Sequence, residues 1–333
     1  MTTLRAGVIG LGVGEQHLKT YHGIEDVEVS SVCDINTDHL AAVANRYDVA
    51  GRFTDYRKIT EDPNIDIVSI CSYDDAHAEQ AISAFNNGKH VMVEKPVALH
   101  RREAEAVLRA QQDSGCRISS NLILRESPRF IELREQIVAG DFGEIFCIEG
   151  DYLHEILWKI TEGWRGQMDF YCTIYGGGIH LIDLMRWLIG QEVTEVCAMG
   201  NKVLTRDSSY RFEDSFMSIL RFDGGALGKC LTTLGSQRTK FHSLNVYGSK
   251  KTFANDLPHA KMFEGDALEN ESVVETPYPG MKKGDLIPEF VRAIRNDTEP
   301  NVGVKDVFRI MDICFAAWEA SQSGKTVQVS YLI

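Results

Sequence analysis

The sequence has 333 residues, enough for two domains that each bury a core of their own, and two domains imply a cleft. Hydrophobic residues make up 44% and charged residues 25%, which excludes a disordered or fibrous chain. The formal net charge of −13 disfavours nucleic acid or anionic lipid as a partner. No run approaches the roughly 18 apolar residues of a membrane span and no leader-like segment opens the chain, so a cytoplasmic protein is expected.

In chain order, "RAGVIG" reads as a strand, about Gly14 to Ile24 as a helix, and "VEVSSVCD" as a second strand. Thr37 is the expected N-cap of a helix with apolar spacing through Leu40, Ala41, Val43 and Ala44. "IDIVSICS" is apolar on both faces, as a strand inside a parallel sheet should be. A helix from about Ala76 stops at "NNG", where Gly88 supplies the left-handed residue. "HVMVEKP" is the next strand, and Glu103 to Gln112 the next helix, closed by Gly115. This alternation predicts an α/β class with an N-terminal Rossmann, doubly wound parallel sheet over residues 1–120.

Beyond about residue 120, strand-like runs follow one another: "EIFCIEGDYLHEI", "EVCAMGNKVL", "DSFMSILRF", "ALGKCLTTLG" and "HSLNVYG", with "DGG" as a hairpin turn. They predict a C-terminal α+β domain, 121–333, with a large, mostly antiparallel sheet. Helical patterns at about 127–139, 178–189, 286–295 and 306–323 are expected to cover one face. A homo-dimer or homo-tetramer formed through this sheet would hide the other. The eight cysteines are scattered without a CxxC pair, so reduced, buried thiols are expected, with no disulfide framework and no metal site.

Gly10, Gly12 and Gly14 follow a strand and open a helix, where a backbone turn can approach a pyrophosphate and the helix N-terminus can stabilise its charge. A strict G-x-G-x-x-G would place its third glycine at Glu15. Asp34 ends the second strand, placed to accept the hydroxyls of an adenosine ribose and to repel a 2′-phosphate, which points to NAD over NADP. Glu94-Lys95-Pro96 ends a parallel strand, so Lys95 faces the crevice where a nicotinamide would lie. Ser72, the last residue of "IDIVSICS", and His77 beyond it join the cofactor side.

"GVIGLGVGEQHL", "VSICSYDDAHAEQAISAFNNGKHVMVEKPVAL" and "YGGGIHLIDLMRWLIG" together resemble the glucose-fructose oxidoreductase/inositol dehydrogenase (Gfo/Idh/MocA) family of NAD(P)-dependent oxidoreductases, over nearly the whole chain. The resemblance implies a nicotinamide-side lysine at Lys95, with Glu94 and Pro96 beside it and room for a cis bond before the proline. It also implies a substrate-side histidine at His180, and a small-molecule sugar or cyclitol as substrate.

Three departures accompany it. The glycine loop is one residue short, Tyr73 stands where the family often has proline, and Gly176 replaces an aspartate usual four residues before the histidine. Tyr152, His154 and Asp183 are the candidates to substitute for that carboxylate.

From the residues alone, "YGGGIH" is a flexible turn that places His180 in the first turn of a helix, with Asp183 either orienting its ring or complementing the helix dipole. Trp164 and Arg165, in "EGWRGQ", are expected on the same side, Arg165 meeting an acidic substrate group or forming a structural salt bridge. The expected activity is a hydride transfer between nicotinamide and a secondary hydroxyl or ketone of a sugar, cyclitol or nucleotide-sugar, with Lys95 and His180 catalytic. A catalytically silent NAD-binding sensor or subunit is the alternative.

Overall fold

The computed structural model describes residues 3–239, 241–266 and 268–333. The chain divides into two compact units: Met1–Ile123 with Lys282–Met311 and Leu332–Ile333, and Leu124–Met281 with Asp312–Tyr331.

The first unit holds a six-stranded parallel sheet of β1 (Leu4–Ile9), β2 (Val27–Cys33), β3 (Gly51–Phe53), β4 (Ile67–Ile70), β5 (His90–Val93) and β6 (Ile118–Ser120). Its order is β3-β2-β1-β4-β5-β6, so the winding reverses between β1 and β4, and ligands of such sheets gather beyond the carboxyl ends there. All four residues of β4 are buried, as its unbroken apolar run requires.

Two helix starts differ from expectation. The first helix is Leu11–His22, opening directly behind Gly10 rather than near Gly14. Gly10 makes this possible: its φ of 81° suits glycine, and a Cβ there would lie 2.5 Å from the carbonyl oxygen of Cys71. The second helix is capped by Asn36, whose Oδ1 accepts from the N–H groups of Asp38 and His39, and Thr37 is its first helical residue. Gly88 and Gly115 close their helices at φ 71° and 67°.

The helix Ile287–Asn296 was expected over the second sheet but belongs to the first unit, packed against Leu11–His22. Arg117, at the start of β6, anchors the segment behind it through the carboxylates of Asp297, at 2.9 Å, and Glu299.

The second unit carries a mixed nine-stranded sheet: β7 (Ile145–Leu153), β8 (Val193–Asn201), β9 (Ser215–Phe222), β10 (Leu227–Thr233), β11 (Phe241–Gly248), β12 (Thr252–Ala254), β13 (Ala260–Phe263), β14 (Glu271–Val274) and β15 (Val327–Gln328). The order is β14-β13-β12-β11-β7-β10-β9-β8-β15, antiparallel except between β7 and β10. Asp223–Gly225 turns β9 into β10, with Gly225 at φ 92°.

Residues alternate between a buried and an open face, and the helix Ile179–Ile189 lies on the buried one. It approaches so closely that a Cβ on Gly150 would stand 3.2 Å from Leu181. Among the described residues no helix is long and apolar enough to cross a membrane. All eight cysteines are free, but Cys147 is half-buried and Cys197 exposed, because both sit on the open face of the sheet.

Candidate active site

In the first unit the glycine turn, Asp34 and the Glu94-Lys95-Pro96 segment all lie at the carboxyl ends of β1, β2 and β5. Asp34 is held in place by two backbone donors: Leu11 N–H reaches Oδ2 at 2.7 Å and Asn36 N–H reaches Oδ1 at 2.8 Å. Each oxygen keeps a further acceptor position. A Cβ on Gly12 would meet nothing within 4 Å, so the backbone of the helix start is open to a ligand, whereas Gly14 fits tightly on Val8. A short turn, an open helix N-terminus and a fixed carboxylate suit the pyrophosphate and ribose of a dinucleotide.

Lys95 and Glu94 are almost fully buried, and the Lys95-Pro96 bond is cis. Burial opposes ionisation of Glu94, yet Lys283, His17 and Asn121 together hold its carboxyl well below the usual range. Asn121 Nδ2 donates to Oε1 at 2.7 Å, Lys283 Nζ lies 3.6 Å from the same oxygen, and so does His17 Nε2. The far side of His17 faces Ser69 Oγ at 3.2 Å, which contacts the Tyr21 hydroxyl at 3.0 Å. A buried polar chain therefore runs from Tyr21 through Ser69 and His17 to Glu94.

His77 is fully buried, with its ring nitrogens 2.7 Å from Pro96 O and 3.2 Å from Ser72 O. It ties the end of β4 to the end of β5 through backbone, and that is a positioning role. Ser72 Oγ donates to Gln80 Oε1 at 2.7 Å.

In the second unit the expected flexible turn is a π-helical turn, Ile174–Gly178, continuous with the helix that carries His180. Its glycines are needed for close packing. A Cβ on Gly176 would lie 1.9 Å from the Tyr171 hydroxyl, one on Gly177 2.6 Å from the Tyr152 ring, and one on Gly178 2.5 Å from Thr232 Oγ1.

His180, half-exposed, stacks with Tyr152 at a centroid distance of 6.3 Å, and the Tyr152 hydroxyl is 3.3 Å from His154 Nδ1. Burial pushes the Tyr152 phenol up to about 12, with the charge of Arg165 pulling the other way. Arg165 lies 4.1 Å over the Trp164 ring and 5.7 Å from that of Tyr171. The second unit thus gathers Tyr152, His154, Trp164, Arg165 and His180.

Asp183 does not join them. Both of its oxygens are taken by Arg125, Nε to Oδ2 at 2.8 Å and Nη2 to Oδ1 at 2.5 Å, in a buried bidentate pair. Neither expectation for Asp183, as partner of His180 or as dipole complement, describes this.

Sequence reading missed His17, Asn121, Tyr171, His242, Tyr278 and Lys283. Alternation in "FHSLNVYG" carried one signal: it puts His242 on the same face as Leu244 and Val246, a polar residue at a buried position. Nothing local marks Tyr278 or Lys283.

Residues 4–122 match the model of an oxidoreductase family with an NAD-binding Rossmann fold, and residues 130–254 match the GFO/IDH/MocA C-terminal domain. The chain belongs to this family. The chain spans only 57% of the length of inositol 2-dehydrogenase from Salmonella typhimurium (strain LT2), at 28% identity over 58% of the chain. Against myo-inositol 2-dehydrogenase of Thermotoga maritima it is 27% identical over 99% of the chain and 100% of the relative.

It is 34% identical to 4-carboxy-2-hydroxymuconate-6-semialdehyde dehydrogenase of Sphingobium sp., over 92% of the chain and 96% of that relative. A solved levoglucosan dehydrogenase in complex with NADH and L-sorbose shares the fold, with a TM-score of 0.89 at 22% identity and full coverage of both chains. Among the described residues of this Gfo/Idh/MocA protein, no group of three or more His, Cys, Asp or Glu side chains is placed to hold a metal ion.

Proposed function

We propose that this chain is an NAD-dependent dehydrogenase that oxidises a secondary hydroxyl of a sugar or cyclitol to a ketone, or runs the reverse. The observation that supports it most is the pairing of an Asp34 carboxylate fixed at the glycine turn with a buried Glu94-Lys95 segment at the end of β5. Gly10, Gly12, Gly14 and Asp34 would hold the dinucleotide, and Lys95 its nicotinamide end.

NAD, when bound, supplies the hydride acceptor, and the chain handles the proton. Lys95 in the first unit and His180 in the second, the latter with Tyr152 stacked against its ring, are the side chains we assign to acid-base chemistry. No observation favours the silent sensor.

A carboxylated hydroxy compound is the second reading. The Sphingobium relative is named for a carboxylated, hydroxylated semialdehyde, and Arg165 beside Trp164 and Tyr171 is the side chain that would meet a carboxylate. The test is the near-ultraviolet absorbance of reduced nicotinamide after NAD is added with myo-inositol, levoglucosan, neutral hexoses and uronic acids in turn. Reduction with a neutral polyol supports the first reading and reduction with acids alone the second; none with any compound would sink both.

The open sheet face supports a homo-oligomer. Met199, Met217, Ile219 and Leu227 are 75%, 48%, 54% and 43% exposed, and Met199 stands opposite Met217 on adjacent strands. Ile219→Glu should convert the assembly to monomers in sedimentation; a wild type that is itself monomeric refutes this part.

A further inference from the structure

We propose that Tyr73 is a cofactor-binding residue whose ring meets the nicotinamide half of the dinucleotide and favours its oxidised, cationic form over the reduced one. The proposal rests on the reading that the glycine turn and Asp34 hold NAD.

Among the described residues of the first unit, the large apolar side chains that stand exposed are Ile35, at 73%, and Tyr73, at 45%. Each follows a strand that neighbours β1. Ile35 lies beyond the carboxyl end of β2, next to Asp34, and Tyr73 lies beyond the carboxyl end of β4, with the Gly10 turn after β1 between them in the strand order. A single exposed ring on a surface asks for no explanation, but these two border the crevice in which such sheets bind ligands.

Strand order assigns each to one half of the ligand. From β2 through β1 and β4 to β5, with neighbours about 4.8 Å apart, the sheet presents Asp34, the glycine turn, Tyr73 and Lys95 in that sequence. With the adenosine ribose on Asp34 and the pyrophosphate at the turn, the nicotinamide riboside would run on past β4 toward Lys95. Tyr73 stands on that path.

The backbone that carries the ring is fixed. Cys71 N–H donates to Ile9 O at 2.7 Å, and Gly10 is pressed so closely on this segment that a Cβ there would lie 2.6 Å from Ser72 N. Ser72 O lies 3.2 Å from His77 Nε2, Ser72 Oγ donates to Gln80 Oε1, and Tyr73 O accepts from Ala76 N–H at 2.9 Å. An aromatic side chain on a fixed turn gives up little freedom when a ligand covers it.

The two forms of the cofactor differ in charge at this end. The oxidised nicotinamide is a pyridinium cation, which the negative face of a phenol ring attracts, and the reduced dihydropyridine is neutral. Both forms gain apolar contact with the ring. Only the oxidised one gains the electrostatic attraction.

Calorimetric titration of the full chain with NAD, NADH and ADP-ribose tests this without any turnover. Tyr73→Phe keeps the ring and should bind all three within about two-fold of wild type. Tyr73→Leu should weaken NAD roughly five-fold and NADH by less, while ADP-ribose, which has no nicotinamide, should stay within about two-fold. Unchanged ADP-ribose affinity would also show that the fold survives the substitution.

Equal losses of NAD and NADH in Tyr73→Leu would overturn the preference for the oxidised form. An equal loss of ADP-ribose, or NAD bound as tightly as by wild type, would overturn the placement of the ring and leave the cofactor reading intact. A wild type that binds none of the three defeats that reading, and the proposal with it.

Discussion

The hydroxyl of Tyr171 occupies the space that a side chain at position 176 would need: an ideal Cβ on Gly176 falls 1.9 Å from its oxygen. The aspartate that the family resemblance implies at this point therefore has no room here, and a buried phenol stands in its place.

Gly176→Asp should accordingly lower both stability and turnover instead of restoring a lost relay. Overpacking against a buried ring costs about 1–3 kcal/mol, and the displaced ring would disturb the π-helical turn before His180. Thermal unfolding and turnover of Gly176→Ala and Gly176→Asp check this. A Gly176→Asp protein as stable as wild type and faster would show that Tyr171 yields readily.

Asp34 should make NAD the preferred cofactor. A 2′-phosphate would bring a second negative charge to a carboxylate that already accepts from Leu11 and Asn36 N–H groups. Asp34→Asn should weaken NAD and narrow the gap to NADP by roughly ten-fold, the scale of one lost charge-assisted hydrogen bond. Calorimetric titration with both cofactors measures it, and equal affinities in wild type would contradict the assignment.

Lys95→Ala should leave NAD affinity within a few-fold and reduce turnover by about 10²-fold or more. His180→Asn should do likewise. If NAD binding collapses in Lys95→Ala while turnover per bound cofactor survives, the lysine is a cofactor clamp and the chemistry lies elsewhere.

Glu94 makes stability depend on pH in a defined direction. Its folded-state ionisation is shifted well below the ordinary carboxyl value of 4.5, so its contribution is fully present above that value and is lost as pH falls through the lower, folded one. Glu94→Gln should lower the melting temperature at neutral pH, and the difference from wild type should shrink below about pH 4.5. Lys283→Met should act in the same sense, because it removes the ammonium 3.6 Å from the carboxylate. A gap between wild type and Glu94→Gln that stays constant into acid would mean that Glu94 is not held ionised.

The order of strands and helices was legible because it is written locally. Apolar periodicity, Asp34 at a strand end and Glu94-Lys95-Pro96 behind a buried strand each lie within a few neighbouring residues. The same locality led to an expected helix near Gly14, since nothing in the string shows that the Cys71 backbone presses against Gly10 and lets the helix begin at once.

What the tertiary structure decided are the partners. Asp183 reads as a helix-start carboxylate beside His180, but Arg125, 58 residues earlier, claims both of its oxygens, because a buried charge must be paired. Glu94 is held ionised because the chain returns with Lys283, and His242 meets the Tyr278 hydroxyl, which arrives 36 residues later. Periodicity says which residues turn inward; only the closed fold says which polar groups meet there, and that pairing sets their protonation and so their chemistry.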